Sequence, residues 1–458
     1  MTPLDLTRRK FIGNCCAAVG ATGILSALAQ LRVIGAVAAD TAPSDYKALV
    51  CIFLYGGNDA NNLIIPSDTT GYASYASQRT ALAIPQSSLL SITPKTYSDG
   101  RQYGIHPSLV EMQSLFSGGH LALMANTGTL TYPTNLTQYK SGSASLPPQL
   151  FSHADQQVQW QSSVPDQPFQ TGWGGRLADM VNALNTSSNI SMSISLAGQN
   201  SFQVGNVVSQ YAVSSSGAVT LNGATGGSIN PVRYSNQLAL LNQQESNLFQ
   251  AAFSGITKTA ISDSNLLTTI LTGATTLATV FPNTSLGNQL KMIARLISAA
   301  PSLGLKRQVF FASLGGFDTH TVELTTQAPL LVQVSQALNA FNSATIELGV
   351  ANQVTAFTAS DFNRTYNTNG NGADHGWGSH HLVMGGAVNG GDIYGKMPSL
   401  VIGGPDDTGR GNWIPTTSVD QYSATLASWF GVSGTNLPVV LPNIGRFATP
   451  NLGFMAAP

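Results

Sequence analysis

The sequence predicts an α/β fold in which helices cover both faces of a mostly parallel sheet. Short apolar runs of the kind that form buried strands alternate with stretches in which apolar residues recur at helical spacing. Strands that alternate with helices in this way pair in parallel. In the middle, residues 186–232 alternate small polar and apolar residues, and residues 234–300 have helical spacing. This pattern predicts a small β and helical insertion at about residues 186–300.

The predicted strands and helices can be placed in order along the chain. The apolar runs that predict strands are residues 48–55, 121–125, 309–314, 354–358 and 400–402. Two amphipathic helices are predicted around residues 286–297 and 331–341, where apolar side chains recur every three or four positions. The first of them follows Pro282-Asn283-Thr284, which is typical of a helix start.

The composition excludes two classes of protein. The chain has 458 residues with 20 basic and 21 acidic side chains, a net charge of −1 and 9% charged residues, against about 25% in an average soluble domain. Without a basic excess to neutralise phosphates, a nucleic-acid partner is not expected. A hydrophobic fraction of 43% is too high for a disordered chain.

The N-terminus carries an export signature. Thr7-Arg8-Arg9-Lys10-Phe11-Ile12 resembles a twin-arginine motif, and a weakly apolar stretch with a small-residue cleavage site follows it. We expect residues 1–39 to be a signal peptide that the twin-arginine export machinery recognises. The mature protein is then periplasmic or extracellular and has no transmembrane segment, whereas the alternative is an uncleaved membrane anchor. Cys51, in an apolar run, is interpreted as a small buried hydrophobe.

Aspartates lie in the loops that follow three of the predicted strands. Asp59 follows the first strand, Asp318 the strand at 309–314 and Asp361 the strand at 354–358. Because the carboxyl ends of parallel strands meet at one edge of a sheet, these side chains are expected to converge there. Carboxylates at short range repel one another, and a bound cation would offset the repulsion. The alternative for each aspartate alone is a helix cap or a turn.

Histidines are concentrated near the same loops. The sequence has seven, and four of them lie in or just after these loops: His320, His375, His380 and His381. Asp318-Thr319-His320 and Asp374-His375 place a carboxylate beside an imidazole. Mixed oxygen and nitrogen ligands suit Zn, Mn or Fe better than Ca. We therefore expect a site for one or two divalent metal ions. The alternative for His380 and His381 is a position on a solvated loop.

Several motifs together resemble a known protein family. They are Leu54-Tyr55-Gly56-Gly57-Asn58-Asp59, Ser152-His153, Thr171-Gly172-Trp173, Gly315-Gly316-Phe317-Asp318-Thr319-His320, Ser360-Asp361-Phe362-Asn363-Arg364-Thr365, Asp374-His375-Gly376-Trp377-Gly378 and Ile414-Pro415-Thr416-Thr417-Ser418-Val419-Asp420-Gln421-Tyr422. In this order they resemble the bacterial DUF1501 family, which falls within the alkaline-phosphatase/sulfatase-like superfamily. The resemblance runs from about residue 46 to the end of the chain.

The resemblance implies an alkaline-phosphatase-like three-layer α/β/α sandwich over residues 40–458, with a metal site at the strand ends. In the superfamily the metal is bound by an acid after the first strand, by a later acid with a histidine, and by a further acid with a distant histidine. The resemblance therefore implies Asp59, Asp318, His320, Asp361 and His375 as ligands, and Asp374, which adjoins His375, completes the set.

The function that the resemblance implies is a metal-dependent hydrolase of phosphate or sulfate esters, acting on an anionic ester that is a small molecule or a polymer. A serine or a hydroxide activated by the metal would attack the ester. Ser152 is the best-placed serine, and its alternative role is a helix N-cap with Asp155 at the third position. His153 and Arg364 are expected to hold the anion, with structural contacts as the alternative. The alternative functions are a non-catalytic secreted binding or assembly protein that retains the fold, and a phosphomutase-like transferase.

Overall fold

A sheet of ten strands forms the middle of the structure. The computed structural model describes residues 46–185, 190–219, 230–243, 247–274 and 276–457, so the predicted signal peptide at 1–39 lies outside the described residues. The strands are β1 (Lys47–Leu54), β2 (Ile64–Pro66), β3 (Leu90–Ile92), β4 (Tyr103–Ile105), β5 (Leu121–Gly128), β6 (Ser193–Ser195), β7 (Tyr211–Ser214), β8 (Gly217–Ala218), β9 (Arg307–Leu314), β10 (Val354–Ser360), β11 (Ser379–Gly385), β12 (Asp392–Gly395) and β13 (Thr417–Ser418). The order in the main sheet is β12–β5–β11–β10–β1–β9–β6–β7–β8, with β13 beside β5, whereas β2, β4 and β3 form a small antiparallel sheet.

The topology brings the ends of three strands to one edge. Parallel pairing runs from β10 through β1 and β9 to β6, whereas β11 is antiparallel to both of its neighbours. Leu54, the last residue of β1, pairs with Leu314 on one side and with Ser360 on the other. The three strands therefore end level, and β11 begins at the same edge because it runs the opposite way.

Helices cover both faces of this sheet. They are α1 (Thr69–Arg79), α2 (Val110–Ser117), α3 (Leu136–Ser141), α4 (His153–Ser162), α5 (Trp173–Val181), α6 (Asn230–Leu241), α7 (Leu248–Gly273), α8 (Ser285–Ser298), α9 (Ala300–Leu303), α10 (Glu323–Glu347), α11 (Val419–Phe430) and α12 (Leu437–Val440). One group contains α2, α8 and α10, and the other contains α4, α5, α11 and α12. All eight residues of β1 are buried, because a central strand covered on both faces needs apolar side chains on both. None of the described helices is both long and apolar enough to cross a membrane.

The predicted α/β fold, three layers with a mostly parallel sheet, is confirmed. The two predicted amphipathic helices are α8 and α10, and the thiol of Cys51 is buried as expected. The predicted strand at residues 400–402 is wrong, because Leu400 has a φ of +54°, which the extended backbone of a strand does not allow. Within the expected insertion, β6 joins the main sheet in parallel beside β9, and β7 and β8 form a hairpin.

A buried carboxyl group lies at the start of α11. Asp420 is 1% exposed, and its Oδ1 has no hydrogen-bond partner among the residues that the structure describes. Burial raises the pKa of Asp420 to about 7. The folded protein therefore holds the proton at pH values where the unfolded chain has already released it.

We expect this group to destabilise the folded protein as the pH rises from about 4 to about 7. The Asp420→Asn variant cannot titrate, so its stability relative to the wild type should rise by about 2–3 kcal/mol between pH 5 and pH 8. Urea unfolding of both proteins at the two pH values measures this difference. An equal change in both proteins would contradict the prediction.

Candidate functional site

Glycines let the loops after β1, β9 and β10 pack closely at the shared edge. Gly56 has a φ of +114°, and a Cβ built there would lie 2.4 Å from the backbone nitrogen of Asp318. A Cβ on Gly57 would lie 2.5 Å from the ring of Phe362. The Gly56-Gly57 pair is therefore required for the first loop to contact the other two.

Three side chains at this edge face one point. His153 is the first residue of α4, Asp318 follows β9 and His375 precedes β11, and one ligand atom from each lies within 4.8 Å of the others. The Oδ1 atom of Asp318 is 3.6 Å from His153 Nε2 and 3.9 Å from His375 Nε2. Ligand atoms around a tetrahedral zinc ion are about 3.3 Å apart. The spacing of this three-residue cluster is therefore close to that of a metal site.

His320 adds a third nitrogen, and so a fourth possible ligand atom, beside the three-residue cluster. Its Nε2 lies 3.3 Å from Asp318 Oδ1 and 2.8 Å from His375 Nε2. The ring of Phe362 packs against the rings of His153 and His375, with centroid distances of 4.7 and 4.5 Å. This contact fixes the ring planes and gives the cluster an apolar wall.

Each of the three imidazoles has an oxygen atom beside its Nδ1. The pairs are His153 Nδ1 with Asp361 Oδ2 at 2.6 Å, His375 Nδ1 with the carbonyl oxygen of Phe151 at 2.6 Å, and His320 Nδ1 with Asp374 Oδ1 at 3.3 Å. Carboxylate and carbonyl oxygens only accept hydrogen bonds, so the proton of each neutral ring belongs on Nδ1. The Nε2 lone pairs of His153 and His375 then face the cluster, as those of metal-binding histidines do. The 2.8 Å contact between His320 Nε2 and His375 Nε2 requires either a proton on His320 Nε2 or a cation bound by both nitrogens.

The protonation of the three-residue cluster also favours a cation. Burial lowers the pKa of His375, which keeps this ring neutral. Burial alone would raise the pKa of Asp318, but Arg364 and the neighbouring imidazoles lower it below its usual value. The buried Nε2 atom of His153 has no hydrogen-bond partner among the described residues, and leaving such an atom without one is costly. These donors fit a bound metal ion.

Arg364 lies beneath the three-residue cluster and is fully buried. Its Nη2 donates to Asp318 Oδ1 at 2.6 Å, its Nε donates to the carbonyl of Gly57 at 2.9 Å, and its Nη1 donates to the carbonyl of Ala373 at 3.2 Å. These contacts match the structural alternative, and the anion-holding role of this buried side chain stays a prediction.

Residues 46–405 match the model of the family described as "Protein of unknown function (DUF1501)". The chain belongs to the DUF1501 family. This confirms the resemblance inferred from the motifs. No curated protein matches the sequence.

Several solved structures are similar to this DUF1501 chain. The C-terminal periplasmic domain of EcEptC from Escherichia coli, in complex with Zn, has 10% identity and a TM-score of 0.37, covering 88% of each chain. The PsFucS1 sulfatase from Pseudoalteromonas sp. has 8% identity and a TM-score of 0.35, covering 94% of this chain and 74% of its own. The phosphonate monoester hydrolase of Agrobacterium radiobacter has 11% identity and a TM-score of 0.29, covering 87% and 77%.

Two predicted ligands of the DUF1501 chain hold histidines instead of facing the three-residue cluster. Asp361 is fully buried, and besides His153 it accepts hydrogen bonds from Gln157 Nε2 at 2.8 Å and from the backbone of Gly56 at 3.2 Å. Asp374 accepts from His320 and forms an ion pair with an exposed arginine. Both carboxylates therefore orient the rings from behind.

Asp59 lies outside the three-residue cluster. Its carboxylate forms a buried ion pair with Arg79 of α1, and its Oδ1 accepts from the backbone of Asn61 at 3.0 Å. Arg79 also lies 3.0 Å from Glu323, whose pKa is raised by burial and by the charge of Asp59. The loop after β1 turns at this point, so the carboxylate faces α1. Its role as a metal ligand stays a prediction.

His380 and His381 are not on a solvated loop, because both are buried in β11. The Nδ1 atom of His380 accepts from the backbone of Asn126 at 2.9 Å, and burial lowers the pKa of His380 to about 4. These rings are neutral parts of the core.

Ser152 occupies the N-cap position of α4, directly before His153. Its hydroxyl makes no cap hydrogen bond to the helix backbone and instead donates to Asp155 Oδ2 at 2.5 Å. The preceding residue, Phe151, has a φ of +74°, and its carbonyl accepts from His375. The sequence patterns identified Ser152 and His375, but they gave no sign that the Phe151 carbonyl holds the ring of His375.

The role of Asp59 can be tested with the Asp59→Asn variant. Removing its charge leaves Glu323 as the acidic partner of the buried Arg79, which otherwise donates to the carbonyls of Thr365 and Tyr366. The free energy of unfolding should therefore fall by about 1–3 kcal/mol. The metal content of the purified protein, measured by elemental analysis, should stay at the wild-type level. A matched Asp318→Asn variant should lose metal. Loss of metal from Asp59→Asn would identify Asp59 as a ligand.

Proposed function

We propose that this protein is an exported, metal-dependent hydrolase of phosphate or sulfate esters. One observation carries the proposal. His153, Asp318 and His375 turn their ligand atoms toward one point, and the Nε2 of His153 has no other partner among the described residues. A nitrogen and oxygen donor set of this kind suits Zn, Mn or Fe. When bound, a divalent ion would polarise the ester and lower the pKa of a nearby hydroxyl group.

Residues around the three-residue cluster have separate roles in this proposal. Arg364 keeps Asp318 ionised and in place through its hydrogen bond of 2.6 Å. Asp361 holds the ring of His153, and the Phe151 carbonyl holds the ring of His375. The whole arrangement is therefore oriented before any substrate binds, which is the condition for efficient catalysis.

Ser152 is the proposed nucleophile. It adjoins two residues that take part in the site, Phe151 and His153, and its hydroxyl already points to a carboxylate oxygen of Asp155. If the serine oxygen attacks the phosphorus or sulfur of an ester, Asp155 is placed to accept the hydroxyl proton while the bond to the alcohol oxygen of the ester breaks. The alcohol leaves with a proton from solvent, and water then cleaves the serine ester. An adjacent base of this kind activates a serine that is otherwise a weak nucleophile.

The proposal predicts metal and activity together. The purified mature protein should contain at least about one divalent ion per chain and hydrolyse an aryl phosphate, an aryl phosphodiester or an aryl sulfate. His153→Ala and Asp318→Ala should both lose the metal and reduce kcat/KM by more than about 100-fold. Elemental analysis and chromogenic substrates provide the two measurements.

A control histidine is available at the opposite edge of the sheet. His120 precedes β5 and is not part of the three-residue cluster, so His120→Ala should keep both metal and activity. Full metal content without hydrolysis of any of these esters would instead favour a non-catalytic binding protein. Activity that survives the loss of both His153 and Asp318 would refute the metal-dependent mechanism.

The carboxylate behind His153 gives a further prediction. Asp361→Asn keeps an oxygen for the ring but removes its charge, so metal affinity should fall by about 10- to 100-fold. Competition with a metal chelator measures the change. Asp179→Asn is the control, because Asp179 is also a buried carboxylate but binds backbone N–H groups of residues 206–208 instead of a ring. Equal metal affinities in the two variants would contradict this role of Asp361.

A further inference from the structure

The exposed arginine that pairs with Asp374 is Arg410. Its side chain is 52% exposed, whereas that of Arg364 is 0% exposed. The Nη1 of Arg410 contacts Asp374 Oδ2, and Asp374 Oδ1 lies 3.3 Å from His320. Arg410 is therefore joined to the candidate site through a single carboxylate, on the side that faces solvent.

The guanidinium of Arg410 has N–H groups that make no hydrogen bond to the described residues. Among the residues that the structure describes, Asp374 is its only hydrogen-bond partner. Arg364, by contrast, uses its donors on Asp318 and on loop carbonyls. An anionic substrate that enters from solvent can thus meet the free edge of Arg410, but it cannot meet Arg364.

A rigid loop presents Arg410 in this position. Asp407 is 2% exposed, and its carboxylate accepts backbone N–H bonds from four residues of the same loop. These are Gly403 at 2.8 Å, Gly409 at 2.7 Å, Gly411 at 2.8 Å and Asn412 at 3.0 Å. Such a set of bonds fixes the backbone around the arginine, so little order has to be gained when a ligand binds.

The backbone of Arg410 itself is strained. Its φ is +60°, a value that residues other than glycine adopt rarely and at a cost in free energy. The neighbours on both sides, Gly409 and Gly411, also have positive φ. The carbonyl of Arg410 accepts from the backbone of Asn367 at 3.1 Å, which holds this conformation.

We propose that Arg410 binds an anionic oxygen of the substrate and makes the site prefer anionic esters to neutral ones. The proposal rests on the function proposed above for the same site. A guanidinium fork binds tetrahedral oxyanions through paired, charge-assisted hydrogen bonds, and phosphate and sulfate groups share that chemistry. Arg410 thereby determines substrate specificity, while the three-residue cluster acts on the ester itself.

The test compares Arg410→Gln with the wild type, both in the metal-loaded state. For an aryl phosphate and an aryl sulfate, KM should rise about tenfold while kcat changes less than about twofold. The inhibition constants of inorganic phosphate and sulfate should rise by a similar factor, whereas the KM for a neutral aryl acetate should not change. Arg410→Lys should restore part of the affinity. Arg446→Gln, which removes another ion-paired arginine, should behave like the wild type.

The other outcomes separate the role of Arg410 from the hydrolase proposal. Unchanged KM and inhibition constants in Arg410→Gln would overturn the role of Arg410 while leaving the hydrolase proposal intact. A loss of metal from Arg410→Gln would show that the arginine acts only by holding Asp374, and this also overturns the role. If the wild type hydrolyses no anionic ester, the hydrolase proposal fails. Calorimetric binding of inorganic phosphate and sulfate then tests Arg410 alone: weaker binding by Arg410→Gln supports its role, and equal or absent binding refutes it.

Discussion

The buried guanidinium of Arg364 is the interaction on which the candidate site depends. It joins three loops that are far apart in the sequence, through the carbonyl of Gly57, the carboxylate of Asp318 and the carbonyl of Ala373. A buried guanidinium needs such partners, because burying its charge otherwise costs several kcal/mol. The loops therefore cannot separate without leaving Arg364 unpaired, and this requirement keeps Asp318 opposite the histidines.

The charges around the site explain why a divalent ion is accommodated. Asp155, Asp318, Asp361 and Asp374 contribute four carboxylates, and Arg364 and Arg410 contribute two guanidinium groups, which leaves two negative charges in excess. A divalent cation neutralises this local charge and removes the repulsion of an anion. Because only 9% of the residues are charged, few other charged side chains are available to offset this local excess.

The sequence was sufficient to predict the edge of the sheet, but not the direction of each side chain there. Apolar runs identified β1, β9 and β10, and parallel pairing required their loops to meet, which brings Asp318 and His375 together. The same reasoning could not orient Asp59, because its direction depends on Arg79, a cation in a separate helix with no recognisable pattern. Nor could it separate the proposed ligand Asp318 from Asp361, which holds a ring, since both lie in loops after neighbouring strands and the sequence does not give the direction of their side chains.

The same dependence on long-range contacts determines when the proposed metal site can form. His153, Asp318 and His375 come from the start of a helix and from two different strand-end loops, and they meet only after the sheet has paired. The unfolded chain therefore has no preformed site, and metal binding stabilises the folded state alone. An export route that carries folded proteins, as the predicted twin-arginine signal implies, would allow the metal to be bound before the protein leaves the cytoplasm.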